Sequence, residues 1–388
     1  MTENISDRVQ IQRVNGSVQR GGWQCSFTSM RDTDVVEENQ RVMVTWRPAL
    51  GGPPGVLRTA FDGHTIPSRV EFDRTGSKAA FTAETSDGYL RNGWCQGIGF
   101  ADMAAVARAH YHQFDSVTGG AGAQRMTLGR VVRHLLGYYD SLGPPPATCP
   151  DWVAHTNLVY HPTENPHGWV DLANVETTPW SAGYTAGTMR VDRFIVRETE
   201  NLWSKLQEIA ASEFFVIYFD KSNTLYYKRH PMYGTLPPAV MTFDAEFCLA
   251  PPVVEPRESN QVRQVLLASV TDAGATLHAE YPTSPTYVYG KVEELSRLRC
   301  NDQAALDYWA QRHYLYLNRD FSVRWTVPGL AGLLFDLLDR VQITYSGTAA
   351  NGVHYEWEEK KFWVHEIDVI PDNANSGTST FLLESESM

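Results

Sequence analysis

The chain is short of cysteine, has no excess of basic charge and contains no long apolar run, and each shortage removes a class of protein. Its five cysteines (Cys25, Cys95, Cys149, Cys248 and Cys300) are scattered, odd in number and form no C-x-x-C pair. Disulfide frameworks and zinc sites need paired or clustered sulfurs, so these read as buried thiols of a reducing compartment. No stretch has the length of a membrane span, and the N-terminal MTENISDRVQIQRVNG lacks the basic-then-apolar pattern of a secretory signal. The expectation is a soluble protein made in the cytoplasm, with no membrane anchor. Lys and Arg number 33 against 45 Asp and Glu, a net charge of −12. That balance argues against a surface built to clamp nucleic acid, which needs clustered cations.

Aromatic residues are plentiful: 11 Trp, 18 Tyr and 16 Phe, which suits strands and interfaces better than helical bundles. The 388 residues suggest two or three domains. Residues 8 to about 100 alternate in the manner of strands, with Val9 and Ile11, then Trp23, Cys25 and Phe27, then Val42, Val44 and Trp46 on one face. Asn15-Gly16, Gly51 to Gly55, Asp62-Gly63 and Asp87-Gly88 carry turn chemistry between them. Several short strands at this spacing suggest a small barrel or sandwich.

The period then changes. Met103, Val106 and Ala107 begin a helical pattern, and Leu128, Val131, Val132, Leu135, Leu136 and Tyr139 continue one that Pro144-Pro145-Pro146 ends. Residues 147–193 are irregular. Phe194 to Val196 is a short strand. Leu202, Trp203, Leu206, Ile209 and Ala210 then mark one helical face, with Thr199 or Asn201 as its cap. Phe214 to Phe219, the turn Asp220-Lys221-Ser222-Asn223 and Thr224 to Lys228 make a hairpin. Residues 231–256 read as a connector. Val265, Leu267 and Val270 open a second β-rich section, interrupted by a helix whose buried stripe is Leu306, Trp309, Ala310, His313 and Leu317. Phe321, Val323, Trp325 and Val327 alternate cleanly, and 340–345, 361–370 and 378–384 are the closing strands.

No group of residues amounts to an active site. His110 and His112 flank Tyr111, but in a helical segment positions i and i+2 point apart, and no third ligand accompanies them. Glu356, Glu358, Glu359, Glu366 and Asp368 cluster near the C-terminus and are weighed as glycosidase carboxylates, but the run Glu356 to Lys361 reads as a solvated hairpin end. Gly119-Gly120-Ala121-Gly122 lacks the Gly-Lys-Ser/Thr ending of a phosphate loop. Asp62-Gly63-His64 is a hairpin turn, and neither Ser17 nor Ser141 sits in a G-x-S-x-G elbow. Trp203, Trp309 and Trp325 lie on stripes that should be buried. Trp152, Trp169, Trp180 and Tyr184, in 147–193, are the aromatic residues placed to meet a ligand such as a carbohydrate.

Four stretches together carry a family resemblance: VQIQRVNGSV to RTAFDGHT, with a strand ending in Phe61-Asp62-Gly63; ENLWSKLQEIAASEFFVIYFDKSNTLYYKRH; QAALDYWAQRHYLYL leading into FSVRWTVPG; and LLDRVQITYSG with FWVHEIDVIPD and TSTFLLE. In this order they resemble the baseplate hub proteins of bacteriophage tails and their relatives in contractile injection systems. Two positions depart from the pattern. Leu338-Asp339 stands where the family usually has Gly-Asp, and Asp220 to Asn223 forms a turn that often carries Gly.

The resemblance implies a β-rich α+β fold with two small β-barrels of tail-tube type. Residues 1–100 would be the first barrel. Residues 101–256 would be an α/β middle region, with helices near 127–142 and 201–212 and a hairpin at 214–229. Residues 257–388 would be the second barrel, with an inserted helix near 301–317. It further implies a homotrimeric ring in the virion baseplate, made in the host cytoplasm, that joins the tail tube or distal tail protein to a central spike protein. DNA and the tape-measure protein would pass through its lumen without specific binding. No catalytic, cofactor or metal residue is expected. The chain ends at Met388 soon after its last strand, so the spike, any hydrolase and the fibres are expected as separate proteins, and a contractile tail is favoured. Two other readings stand beside this one: a virion carbohydrate-binding or adsorption protein using 147–193, and an unrecognised hydrolase.

Overall fold

Alternation builds the first strands. The computed structural model describes residues 9–29, 40–46, 57–73, 76–92, 111–115, 132, 135–136, 174–175, 193–197, 200–212, 215–231, 237–256, 262–270, 274–285, 291–298, 303–318, 321–372 and 376–386. Strands β1 (Val9–Ser17), β2 (Gly22–Ser29), β3 (Arg41–Trp46), β4 (Arg58–Asp73) and β5 (Gly76–Glu84) precede a short helix, α1 (Asp87–Asn92). On β2, Trp23, Cys25 and Phe27 all face the core, as a period of two requires. Next come β6 (Tyr111–Asp115), β7 (Asn174–Val175), β8 (Arg193–Arg197), α2 (Leu202–Ser212) and the hairpin β9 (Phe215–Phe219) and β10 (Leu225–Arg229). The chain continues through β11 (Met241–Asp244), β12 (Val253–Pro256), β13 (Val262–Val270), β14 (Thr276–Tyr281), β15 (Lys291–Leu298), α3 (Gln303–Leu317) and β16 (Phe321–Pro328). It closes with β17 (Arg340–Thr348), β18 (His354–Pro371) and β19 (Gly377–Ser385).

Strands from both ends of the chain share one 11-stranded sheet, ordered β12-β16-β19-β18-β1-β2-β5-β4-β3, with β17 beside β18 and β11 beside β17. The link between the two ends is β1 against β18, with Val14 opposite Val369 and Ser17 opposite Glu366. β18 can serve both halves because it is 18 residues long. His354 to Trp363 pairs with β17, Phe362 to Pro371 pairs with β19 through a register shift at Val364/Glu366, and Glu366 to Val369 pairs also with β1. Such a bulge bends a strand and raises its twist. Trp23 and Phe61 from the first strands and Trp325, Ile367 and Phe381 from the last lie in one hydrophobic core. The chain is therefore β-rich with few helices, and its terminal strand sets run together through one sheet and one core.

Two smaller layers pack beside this sheet. Leu202, Trp203, Leu206 and Ile209 on α2 form a core with Phe215, Ile217, Phe219 and Tyr227 of the hairpin. The cap of α2 is Asn201, whose Oδ1 accepts the Ser204 N–H at 3.0 Å. Val132, Leu135 and Leu136 of the helix expected over 127–142 are buried in the same core, and the rest of it lies outside the described residues. Strands β14-β13-β15 form a separate sheet. Its core is Val262, Val265 and Leu267 against Leu306, Trp309 and Ala310 of α3.

Several local expectations are corrected. The stretch read as a connector supplies β11, parallel to β17, and β12, antiparallel to β16. Tyr111 and His112 lie not in a helix but in β6, paired with β8, and His110 lies outside the described residues. Asn15-Gly16 is inside β1, paired with Gln24 and Trp23 of β2, and glycine is required because a Cβ at Gly16 would sit 2.5 Å from the Trp23 ring; the turn falls later, with Gly21 at φ 87°. Asp62-Gly63-His64 is interior to β4, which does not end there, and a side chain on Gly63 would collide with the Glu84 carbonyl. Asp87-Gly88 opens α1.

Candidate functional site

The hairpin tip makes a joint that the local sequence does not announce. Asp220 Oδ1 accepts the N–H groups of Ser222 and Thr224, each at 2.9 Å, which winds the chain tightly and puts Asn223 at φ 62°. Asparagine tolerates that left-handed conformation, so it fills the place where the resemblance expects glycine. The wound tip projects between three segments. The Asp62 N–H donates to the Lys221 carbonyl at 2.8 Å, and the Phe219 N–H donates to the Gly21 carbonyl at 2.8 Å. The Ser86 N–H donates to Asn223 Oδ1 at 2.7 Å. From the other side, Lys221 Nζ donates to the carbonyls of Leu333 at 2.8 Å and Phe335 at 3.0 Å.

Around this ammonium sits a half-buried group of carboxylates and phenols. Asp339 Oδ2 accepts the Asp336 N–H at 2.7 Å, and Asp336 Oδ1 accepts the Leu337 N–H at 2.8 Å. Tyr218 and Tyr226 stack at 5.3 Å, and Lys228 Nζ lies 4.8 Å from the Tyr226 ring centre. Burial pushes Asp336 up to about 7, helped by the charge of Asp220 and opposed by Lys221. Burial also raises Asp220 and Asp339, and it lowers Lys221. Three carboxylates face two ammonium groups here, and the Arg58 guanidinium adds to the lowering of Lys221. The arrangement holds segments together; it contains no ordered nucleophile.

A second buried network supports the first strands. Asp87 accepts the Thr85 hydroxyl at 2.5 Å and lies 3.2 Å from Arg91. Glu84 pairs with Arg91 at 2.7 Å and with Arg20. Burial raises Asp87 to about 6. The Trp23 N–H donates to Thr85 Oγ1 at 2.8 Å, so this network fixes the end of β2 to α1.

The residues weighed from sequence are dispersed. Trp203, Trp309 and Trp325 are core side chains at 3%, 3% and 0% exposure. Glu356, Glu358 and Glu359 are solvated, though within β18 and not at a hairpin end, with Trp357 buried between them. Asp368 is held by Arg13 through contacts of 2.5 and 2.9 Å. Ser17 Oγ accepts the Arg20 N–H at 3.5 Å, a turn contact. Gly119 to Gly122, Ser141, Trp152, Trp169, Trp180 and Tyr184 lie outside the described residues. Among the described residues no group of His, Cys, Asp and Glu has the geometry of a metal site. No described helix is long and apolar enough to cross a membrane. Sequence reasoning missed Lys221, Asp336 and Asp339. A lysine in a four-residue turn reads as solvated, and the one local sign was the Leu338-Asp339 departure.

No protein-family model matches the sequence, and no curated protein is similar to it in sequence. The fold has clear counterparts. The tail protein from Neisseria meningitidis MC58 superposes with a TM-score of 0.56 at 11% identity, covering 98% of this chain and 96% of that one. The 43 kDa tail protein of prophage MuSo2 from Shewanella oneidensis gives 0.56 at 9% identity, covering 98% of both chains. The chain has the fold of these phage tail proteins from end to end.

Proposed function

We propose that this chain is a structural hub of a phage-type tail baseplate. In this reading three copies form a ring that joins the tail tube or a distal tail protein to a central spike protein. The ring surrounds the path of DNA and tape-measure protein, and it does no catalysis. The observation that carries the reading is the end-to-end likeness to two tail proteins, with nearly all of each chain superposed.

The sheet supports it. Each chain brings two strand sets side by side through β1 and β18. In this reading each set builds one small barrel, and three chains supply six. Three copies at −12 each give −36. An acidic lumen lets a polyanion slide instead of stick. The hairpin joint, with charges spent on backbone carbonyls and one another, suits a part that transmits force and not one that turns over a substrate.

Light scattering of the purified chain across a concentration series tests the reading. The mass of three chains is expected. A protein that stays monomeric at the highest concentration, or that stops at a dimer, overturns the ring.

A further inference from the structure

Strand β13 is apolar on both of its faces. Val265 and Leu267 enter the core under α3, and Leu266, Ala268 and Val270 alternate onto the opposite face. Parallel pairs such as β13 and β15 are usually covered on both sides, and strands so placed read as near-continuous apolar runs. Here one side is covered. None of the three hydrophobic cores includes Leu266, Ala268 or Val270. Among the described residues, β14, β15 and α3 are the elements that pack on β13, and α3 takes the inner face.

The outer face carries a groove. A cavity of about 560 Å³, within the size range of ligand sites, has Leu266 and Ala268 as its floor and His278, Glu280 and Glu294 at its borders. Leu266 stands opposite Glu280 of β14 on one side and Glu294 of β15 on the other. The two outer strands lie about 10 Å apart, close to the width of one helix. Neither carboxylate is neutralised. Glu280 accepts a long bond from the Gln264 amide at 3.4 Å, and among the described residues no cation pairs with it or with Glu294. Lys291 of β15 is taken by Glu293 at 2.6 Å.

We infer that this face of the β13–β15 sheet seats an amphipathic helix of another protein, with its apolar stripe on Leu266 and Ala268 and lysines or arginines along both borders, against Glu280 and Glu294. The floor selects the stripe, the width selects a single helix, and the carboxylates select cations on both of its flanks. Such a helix gives the sheet a second layer opposite α3. A second copy of this chain is disfavoured as the occupant, because each copy carries a net charge of −12. The site lies on one copy and goes beyond the hub reading, whatever the number of copies in the ring.

The test uses the full chain and a synthetic, fluorescein-labelled helical peptide of leucine, alanine and lysine, with lysines on both borders of its leucine stripe. Fluorescence anisotropy should show saturable binding that weakens as salt screens the borders. Glu280→Gln combined with Glu294→Gln should weaken binding about fivefold. Ala268→Arg fills the floor and places a cation there, and should abolish binding while the thermal unfolding transition stays in place. Should Ala268→Arg unfold the chain, the glutamate pair decides alone. Glu356→Gln combined with Glu358→Gln, at exposed positions of β18, controls for general attraction of a basic peptide to an acidic chain and should leave binding unchanged. Absence of binding, equal loss in the two glutamate pairs, or binding that survives in a folded Ala268→Arg variant overturns the site. A peptide with glutamine in place of lysine that binds as tightly overturns the basic occupant. Either failure leaves the hub reading standing, because light scattering decides that separately.

Discussion

Lys221 donates its ammonium to the carbonyl of Phe335 at 3.0 Å, across 114 positions of sequence. The same residue offers its own carbonyl to the Asp62 N–H. One turn residue thus ties the first strands, the central hairpin and the 3₁₀ turn Ala331–Leu334 before β17. In a protein whose proposed work is to hold a ring under load, that is the contact where the three parts of the chain are made one.

Asp336 is the group in this joint with the clearest dependence on pH. Its folded value of about 7 stands well above the ordinary range of an aspartate, so the folded state holds the proton more tightly. Its contribution is greatest below about pH 4 and is lost as pH rises toward 7, to a limit of about 4 kcal/mol. Asp336→Asn keeps an oxygen for the Leu337 N–H and cannot ionise. The variant should match wild type in denaturant melts at pH 4 and exceed it at pH 8. A variant less stable at pH 8 would mean that Lys221 needs the ionised carboxylate.

Leu338 is buried at φ 65°, the one leucine among the described residues in the left-handed region. The family resemblance expects glycine there. A left-handed conformation costs a side-chain-bearing residue about 1–2 kcal/mol, a cost glycine does not bear. Both Leu338→Ala and Leu338→Gly lose the buried side chain, a loss of about 2–5 kcal/mol. Alanine keeps the backbone strain and glycine relieves it. Leu338→Gly should therefore be the more stable of the two, by about 1 kcal/mol, reversing the usual order. Equal or opposite ranking in urea melts would show that the backbone at 338 relaxes.

His313 sets an acid limit on the α3 lobe. Burial among the α3 and β13–β15 side chains lowers it to about 4, so the folded state resists its protonation. The unfolded chain takes the proton near pH 6.5, and stability falls from there down to about pH 4, by about 3 kcal/mol in all. His313→Gln removes this slope. Amide exchange in α3, compared at pH 7 and pH 4.5, should slow in the variant relative to wild type only at the lower pH. A constant ratio at the two values would assign the acid loss to other groups.

Periodic segments were legible and their junctions were not. The apolar stripes of α2 and α3 and the alternation of β2 and β16 needed only residue order, because burial follows the period of each element. Asn15-Gly16 and Asp62-Gly63 carry the chemistry of turns yet lie inside strands. There the glycines exist to let the Trp23 ring and the Glu84 backbone approach, a demand set by residues distant in sequence. The pairing of β1 with β18 joins Ser17 to Glu366, and no local pattern encodes it. The joint at Lys221 was hidden for the same reason: its partners are carbonyls, which every residue has.

Trp203 of α2 packs directly on Gly21 in the turn between β1 and β2. Trp203 is 3% exposed and its ring lies 6.1 Å from that of Phe219. Gly21 sits at φ 87° directly beneath the indole, and a Cβ there would collide with it. Gly21→Ala is thus opposed twice, by the backbone conformation and by the ring, and should cost about 2–4 kcal/mol. Trp203→Ala empties the core and should cost about 3–5 kcal/mol, lowering thermal stability or preventing assembly. The double variant decides whether the two act through one contact. With the indole gone, the collision at position 21 disappears and only the conformational part of Gly21→Ala remains. The two costs should then fall short of additive by about 1–2 kcal/mol in a double-mutant cycle of urea melts. Full additivity would mean that Gly21 serves the turn alone and the indole rests on other atoms.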